Sequence, residues 1–121
     1  MATLKPLSLK SRALRHLAAR EHSRAELERK LRGPDTDAGE LARTLDELEA
    51  KGFISADRVA ESVMHRRSGR FGAARIRREL QDKGLDVETV QRAVERLRAT
   101  EFERAREVWR RRFGEPAPDA A

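Results

Sequence analysis

The chain has 121 residues, of which 38% are hydrophobic and 40% carry a charge, and its formal net charge at pH 7 is +6. This length suits about one domain, and so polar a composition predicts a thin body with much exposed surface. The absence of cysteine excludes disulfides and thiolate metal sites, and no apolar run approaches the ~20 residues that cross a bilayer. We therefore expect a cytoplasmic protein that makes no use of a membrane.

The sequence opens on a stretch without pattern, residues 1–10, which we expect to form a flexible arm. Helical spacing of apolar residues begins at Ser11. Ser23 and Glu26 then have the spacing of a capping box, in which two side chains satisfy free backbone N–H groups at a helix start. Because proline cannot continue a helix, this second helix ends before Pro34.

A third helix is predicted between Asp37, a good N-cap residue, and Gly52, a good helix terminator. Its apolar residues recur at the spacing of one buried face: Leu41, Leu45 and Leu48. Residues 11–54 therefore predict a first three-helix unit.

The same pattern returns 49 residues later. A fourth helix is predicted after Ser55, a fifth between Gly72 and Gly84, and a sixth after Asp86. A shift of 49 residues superimposes the apolar positions of the two units: Leu27, Leu31, Leu41, Leu45 and Leu48 fall on Ile76, Leu80, Val90, Val94 and Leu97. The N-cap aspartates match as well, which indicates an internal repeat with residues 55–99 as its second unit.

A third unit begins and is cut short. Thr100 and Glu103 repeat the capping-box spacing and predict a separate helix over residues 100–114. The residues of this helix that could pack are Phe102, Val108, Trp109 and Phe113. Residues 115–121 are polar and proline-rich, so we expect a disordered tail. The predicted fold class is all-α, an elongated array of tandem three-helix repeats with two complete repeats and one helix of a third.

Positive charge is concentrated in residues 66–83, where seven cations oppose two anions. The seven cations are Arg66, Arg67, Arg70, Arg75, Arg77, Arg78 and Lys83. Helical spacing predicts that Arg75 and Arg78 project together, with Arg77 beside them. Guanidinium groups so placed bind phosphates or carboxylates bidentately, and a helix after a short turn also suits a DNA-reading helix. In the competing interpretation, the arginine stems only cover the apolar stripe while their charged heads stay in water.

A second basic block lies in residues 1–32, with nine cations against three anions, and the residues between the blocks are acidic. From this block we add three cations to the predicted partner-binding set: Arg20, Arg24 and Lys30. The alternation predicts a polarised surface that meets a polyanion or an acidic protein. The alternative is that solvated helix faces differ in sign by chance.

Patterns typical of catalysis are missing from the sequence. The three histidines, His16, His22 and His65, lack the spacing of metal ligands. Residues 68–72 contain two glycines but not the Lys-Ser/Thr ending of a phosphate loop. We therefore predict a protein that is not an enzyme and that needs neither cofactor nor metal.

Three segments of the chain carry distinctive motifs. The first is LAAREHS at 17–23, followed by Glu26-Leu27 and Lys30-Leu31. The second is KGFI at 51–54, followed by DRVAE at 57–61. The third joins Arg66-Arg67 to Gly72, Arg75-Ile76, Glu79-Leu80 and Lys83-Gly84. In this order and at this spacing they resemble the RecX family, bacterial regulators of the RecA recombinase, from Leu14 to Phe113.

The resemblance implies an array of three-helix repeats that binds in the groove of the RecA–DNA filament. There it would inhibit or destabilise the filament and so damp ATP hydrolysis, strand exchange and the SOS response. Such proteins look as though they complete a third repeat, whereas this chain is expected to carry only its first helix. The alternative function is direct binding of single- or double-stranded DNA by the Arg-rich helix 72–84. A monomer is expected.

Overall fold

The computed structural model describes residues 7–67 and 72–114, and within these ranges the chain forms six α-helices and no strand. The helices are α1 (Leu9–Ala19), α2 (Arg24–Leu31), α3 (Ala38–Ala50), α4 (Ala56–Arg67), α5 (Ala73–Asp82) and α6 (Val87–Phe113). The predicted all-α class with tandem three-helix repeats is confirmed. Residues 1–6 of the predicted arm and the whole predicted tail, 115–121, lie outside the described residues.

The helix starts follow the local chemistry that the sequence predicts. Ser23 Oγ accepts a hydrogen bond from the Glu26 N–H, and Glu26 Oε1 accepts one from the Ser23 N–H, both at 3.1 Å, so the capping box is complete. The side chains of Asp37 and Asp86 cap α3 and α6 by accepting hydrogen bonds from backbone N–H groups of the first turn. Each cap satisfies backbone donors that a helix start leaves free, which is worth about 1 kcal/mol.

Helix α1 begins two residues earlier than predicted. Ser8 is its N-cap, and the Ser8 Oγ accepts a hydrogen bond from the Ser11 N–H. Leu9 and Lys10 therefore belong to the helix and not to an arm. Lys10 is further held by an ion pair with Glu47 of α3, at 2.8 Å.

The predicted helix start at residue 100 is wrong. Helix α6 continues without a break across this point, and the Thr100 Oγ donates a hydrogen bond to the Arg96 carbonyl oxygen, one turn back, at 2.9 Å. No glycine or proline occurs between Val87 and Phe113, so nothing in the sequence interrupts the backbone hydrogen bonds there. The third helix of the second unit and the predicted helix of a third unit form one rod of 27 residues, about 40 Å long.

Each of the two units has a hydrophobic core of its own. The first is formed by α1, α2 and α3, with Ile54 from the segment between α3 and α4. Its buried residues are Ala13, Leu27, Leu31, Leu41, Leu45, Leu48 and Ile54. The second is formed by α4, α5 and α6: Ala60, Val63, Ile76, Leu80, Val90, Ala93, Val94 and Leu97. The five apolar pairs named above, from Leu27 with Ile76 to Leu48 with Leu97, all lie in the corresponding cores, so the repeat in sequence is a repeat in packing.

The end of α6 leaves the second core beyond Leu97. The large apolar residues there remain 44–66% exposed: Phe102, Val108, Trp109 and Phe113. Among the described residues, none of these four side chains packs in either core. The Trp109 and Phe113 rings contact each other, with centroids 5.4 Å apart.

The two units meet where α2 faces the turn between α5 and α6. Ser23 Oγ donates a hydrogen bond to the Lys83 carbonyl oxygen at 2.5 Å. Arg29 Nη2 donates one to the Asp82 carbonyl oxygen at 3.3 Å. The N-cap and the last turn of α2 are thus each tied to a carbonyl group at the end of α5.

Replacing Ser23 with alanine should cost more than the loss of an ordinary cap. The substitution removes the capping oxygen, worth about 1 kcal/mol, and also the hydrogen bond to Lys83, worth about another 1 kcal/mol. The matched control is Asp37→Ala, which removes a cap whose hydrogen bonds go to the first turn of its own helix. Urea unfolding should therefore show about twice the loss for Ser23→Ala, and equal losses would mean that the inter-unit bond adds nothing.

Candidate partner-binding surface

Helix α5 presents its arginines to solvent because its apolar stripe is narrow. Ile76 and Leu80 lie one turn apart and are buried in the second core. Gly72 begins the helix without a capping side chain. Three arginines of this helix are exposed, as the sequence predicts: Arg75, Arg77 and Arg78.

Three arginines from two helices surround one groove, here called the arginine groove. Its walls are residues of α4 and α5: Arg67, Arg75, Ile76, Arg78, Glu79 and Asp82. Arg67 Nε donates a hydrogen bond to Glu79 Oε2 at 3.3 Å, which draws the end of α4 toward α5. Three guanidinium groups against two carboxylates leave the groove positive, a setting suited to phosphate or carboxylate groups of a partner.

Arg77 lies in a different groove, so the prediction that it sits beside Arg75 and Arg78 is wrong. Successive residues of a helix are about 100° apart, which turns residues 75 and 77 to nearly opposite sides. Arg77 instead lines a groove between α5 and α6, the α5–α6 groove, together with Arg98. Among the described residues, neither Arg77 nor Arg98 forms an ion pair.

The two remaining arginines of the basic stretch, Arg66 and Arg70, are close in sequence to Arg67 of the arginine groove. Arg66 is exposed in the last turn of α4, next to Arg67. Arg70 lies outside the described residues, so its place in the binding surface stays a prediction.

Arg24, from the first basic block, is bound within its own unit. Its guanidinium lies 3.2 Å from Glu28, 2.6 Å from Asp46 and 2.7 Å from Glu49. The hydrogen bonds to Glu49 and Asp46, followed by that to Glu28, raise the pKa of Arg24 above its ordinary value. A partner would have to displace three carboxylates to reach this side chain.

Two further cations of the predicted set converge on one buried carboxylate. Glu26 Oε2 lies 2.8 Å from Arg20 Nη2 and 3.4 Å from Lys83 Nζ. Burial favours the protonated form of Glu26, but the hydrogen bonds from Arg20 and from the Ser23 N–H, with the charge of Lys83, hold its pKa at about 2. Because Lys83 belongs to the second unit, this cluster joins the two units.

Lys30, the last of the predicted cations, contacts a buried histidine. Lys30 Nζ lies 2.9 Å from His22 Nε2, and His22 Nδ1 lies 3.0 Å from the Arg20 carbonyl oxygen. Burial above all, and then the positive charges of Arg20 and Lys30, lower the pKa of His22. The imidazole is therefore neutral at pH 7, donating at Nδ1 and accepting from Lys30 at Nε2.

Within residues 7–67 and 72–114, no three metal-ligating side chains lie close enough together to hold an ion. The same residues include no helix whose length and apolar character would let it cross a membrane.

Two family models match the chain, one for each unit. Residues 10–48 match the model described as RecX, first three-helix domain, and residues 57–94 match RecX, second three-helix domain. Regulatory protein RecX of Leptothrix cholodnii is 57% identical over 121 residues, covering 99% of this chain and 77% of the relative. The chain belongs to the RecX family. The resemblance carried by the three sequence motifs is thereby confirmed.

Other RecX proteins agree with this membership. Regulatory protein RecX of Ralstonia pickettii is 47% identical over 116 residues, covering 96% of this chain and 73% of the relative. A crystal structure of regulatory protein RecX has the same fold, with a TM-score of 0.67 at 22% identity over 89% of this chain. This chain spans 58% of the length of that RecX chain. The relatives in both comparisons are named as regulatory proteins.

Proposed function

We propose that this RecX-family protein binds the RecA–DNA filament and inhibits or modulates recombinase activity, including ATP hydrolysis, strand exchange and SOS induction. Membership of the RecX family supports the regulatory role and the choice of partner. The observation that carries the proposal is the arginine groove, which gathers Arg67, Arg75 and Arg78 from two helices on one face of the second unit.

A protein–DNA filament offers both kinds of group that guanidinium binds, phosphates and carboxylates. In this proposal Arg75 and Arg78, exposed on α5, make the first contacts with the filament. Arg20, Arg24 and Lys83, which are bound to carboxylates of the protein itself, hold the helices and the two units in place. The partner-binding surface is accordingly smaller than the full set of cations predicted from the sequence.

Direct nucleic-acid binding is the second candidate function. It is favoured by the exposure of arginines on two sides of α5, Arg75 and Arg78 on one and Arg77 on the other. Binding of this kind releases counterions from DNA, so its affinity falls steeply with salt.

Reversing Arg75 and Arg78 to glutamate should weaken binding to a RecA filament on single-stranded DNA by at least tenfold and abolish inhibition of its ATPase. The reason is that each charge-assisted hydrogen bond contributes about 1–3 kcal/mol, and 1.4 kcal/mol is tenfold in affinity. The matched control is Arg12→Glu with Arg15→Glu, an equal change of net charge at two exposed arginines of α1. This control should bind within about threefold of the wild type, and circular dichroism should show the same helix content in all three proteins.

Each other outcome of the comparison points to a different conclusion. Equal weakening by both pairs would mean that net charge, and not the arginine groove, drives binding. Unchanged binding by the Arg75 and Arg78 variant would mean that the groove is the wrong surface. Tighter binding of the wild type to bare DNA than to the filament, with a steep salt dependence that the variant loses, would favour the second function.

A further inference from the structure

The α5–α6 groove combines an aliphatic floor with two arginines that have no ion pair among the described residues. Its principal lining residues are Arg77, Leu85, Val87, Val90, Val94 and Arg98. Val87 is 79% exposed, a large exposed fraction for an aliphatic residue at the start of a helix. Glu95, the carboxylate in this lining, already accepts a hydrogen bond from Gln91 at 3.4 Å.

The first unit shows what the same face looks like when the protein satisfies it internally. There, the positions equivalent to Arg77 and Arg98 are Glu28 and Glu49. Both carboxylates are bound by Arg24, at 3.2 and 2.7 Å. The carboxylates on the face between α2 and α3 are thus paired within the first unit.

Among its described residues, the second unit lacks the ion pairs of this face. The bridging arginine is replaced by Ala73, which has no charge to offer. Two side chains along the groove are also larger and more apolar: Leu85 and Val87 stand where the first unit has Thr36 and Ala38. The repeat has therefore exchanged an internally paired face for an open one with positive charge beside aliphatic surface.

We propose that the α5–α6 groove binds an acidic amphipathic segment of a partner protein. Aliphatic side chains of the segment would cover Val87 and the floor, and two of its carboxylates would pair with Arg77 and Arg98. A phosphodiester backbone would satisfy the two arginines but leave the aliphatic surface in water, so the groove favours protein over nucleic acid. This inference rests on the proposed function in one respect: the RecA subunits of the filament are taken as the carrier of the segment.

A peptide tests the chemistry of the groove without the recombinase. The probe is a synthetic peptide with the sequence of residues 38–50, which is itself an acidic amphipathic helix in this protein. Titration of the methyl-labelled protein should shift the NMR signals of Leu85, Val87 and Val94 in the wild type. The shifts should be at least fivefold smaller for the variant Arg77→Glu with Arg98→Glu. Absent shifts at these methyls, or equal shifts in both proteins, would overturn the proposal whatever the filament does.

Filament binding tests the carrier, with two variants that spare the core. Arg77→Glu with Arg98→Glu should weaken binding to the RecA filament at least tenfold. Val87→Asp should weaken filament binding about fivefold. Folding should be preserved, because an acidic residue at the first position of α6 interacts favourably with the helix dipole. The controls are Arg12→Glu with Arg15→Glu for charge, and Val108→Asp for an exposed valine of α6 outside the groove.

The outcomes separate the groove from the proposed function. A wild type that binds the peptide but not the filament would refute the function and retain the groove. A wild type that binds the filament, with groove and control variants equally affected, would refute the groove as the filament contact and retain the function. Equal weakening of Val87→Asp on bare single-stranded DNA and on the filament would identify the occupant as nucleic acid and overturn the proposal.

Discussion

Replacing Gly84 with alanine should lower the free energy of unfolding by about 3 kcal/mol, one of the largest losses available from adding a single methyl group. Gly84 has a φ of +75°, which L residues rarely adopt, and a Cβ built there would lie 2.6 Å from the Cβ of Ala25 in α2. Both backbones belong to the junction between the units, so neither can yield without opening it. Urea unfolding measured by circular dichroism gives the loss directly.

The chain offers a matched control for the backbone part of this effect. Gly52 has a φ of +82° and no atom within 4 Å of an added Cβ, so Gly52→Ala introduces the strain without the collision. It should cost about 1–2 kcal/mol. Adding Ala25→Gly to Gly84→Ala removes the methyl group that the new Cβ would meet, so it should restore the part of the stability lost to that collision. The double-mutant cycle should show a coupling of at least 1 kcal/mol. Equal losses at the two glycines would show that the junction accommodates the methyl group.

The parts of the fold that sequence predicts are those set by neighbouring residues or by a period. The capping box of Ser23 and Glu26 is local chemistry, and it is present as predicted. The 49-residue shift identifies both cores, because each apolar pair must keep its face when a unit is repeated. The same local reasoning failed at Thr100, where a capping-box spacing occurs inside a helix that no glycine or proline interrupts.

The binding surface was harder to predict, because ion pairs join residues far apart in sequence. Arg24 meets Asp46 and Glu49 on α3, and Lys83 meets Glu26, 57 residues away. Charge blocks along the chain do not show which cations are already bound in this way. Which cations are bound in ion pairs is decided by the folded structure.

One functional candidate was missed although the repeat contained a signal for it. Arg98 lies outside the basic stretch, so charge density alone passes over it. Comparing charges across the 49-residue shift reveals it, since Glu49 becomes Arg98. The same change from glutamate to arginine occurs at other positions, among them Arg75, Arg77 and Arg96. Within a repeat, positions that keep their apolar character define the core, and positions whose charge changes sign are candidates for a specialised surface.

Glu26→Gln should cost about 3 kcal/mol at pH 7, because it leaves Arg20 and Lys83 beside a neutral group at a junction where Glu26 is only 8% exposed. The cost should disappear in acid. The folded pKa of Glu26 is about 2, below its ordinary value of 4.5, so its charge stabilises the fold above about pH 5 and that contribution is lost as the pH falls toward 2. Unfolding curves of both proteins should therefore draw closer as the pH falls from 5 to 2.5, and should meet only below about pH 2.

Glu47→Gln is the control that separates burial from charge pairing. The pKa of Glu47 is also about 2, held there by hydrogen bonds from Lys10 and Lys51, but its carboxylate is exposed to solvent. Salt screens such a pair, so the smaller loss from Glu47→Gln should vanish in 1 M NaCl while that from Glu26→Gln persists. A loss at Glu26 that salt removes as readily, or one that does not decline below pH 4, would show that the buried carboxylate does not hold the two units together through its charge.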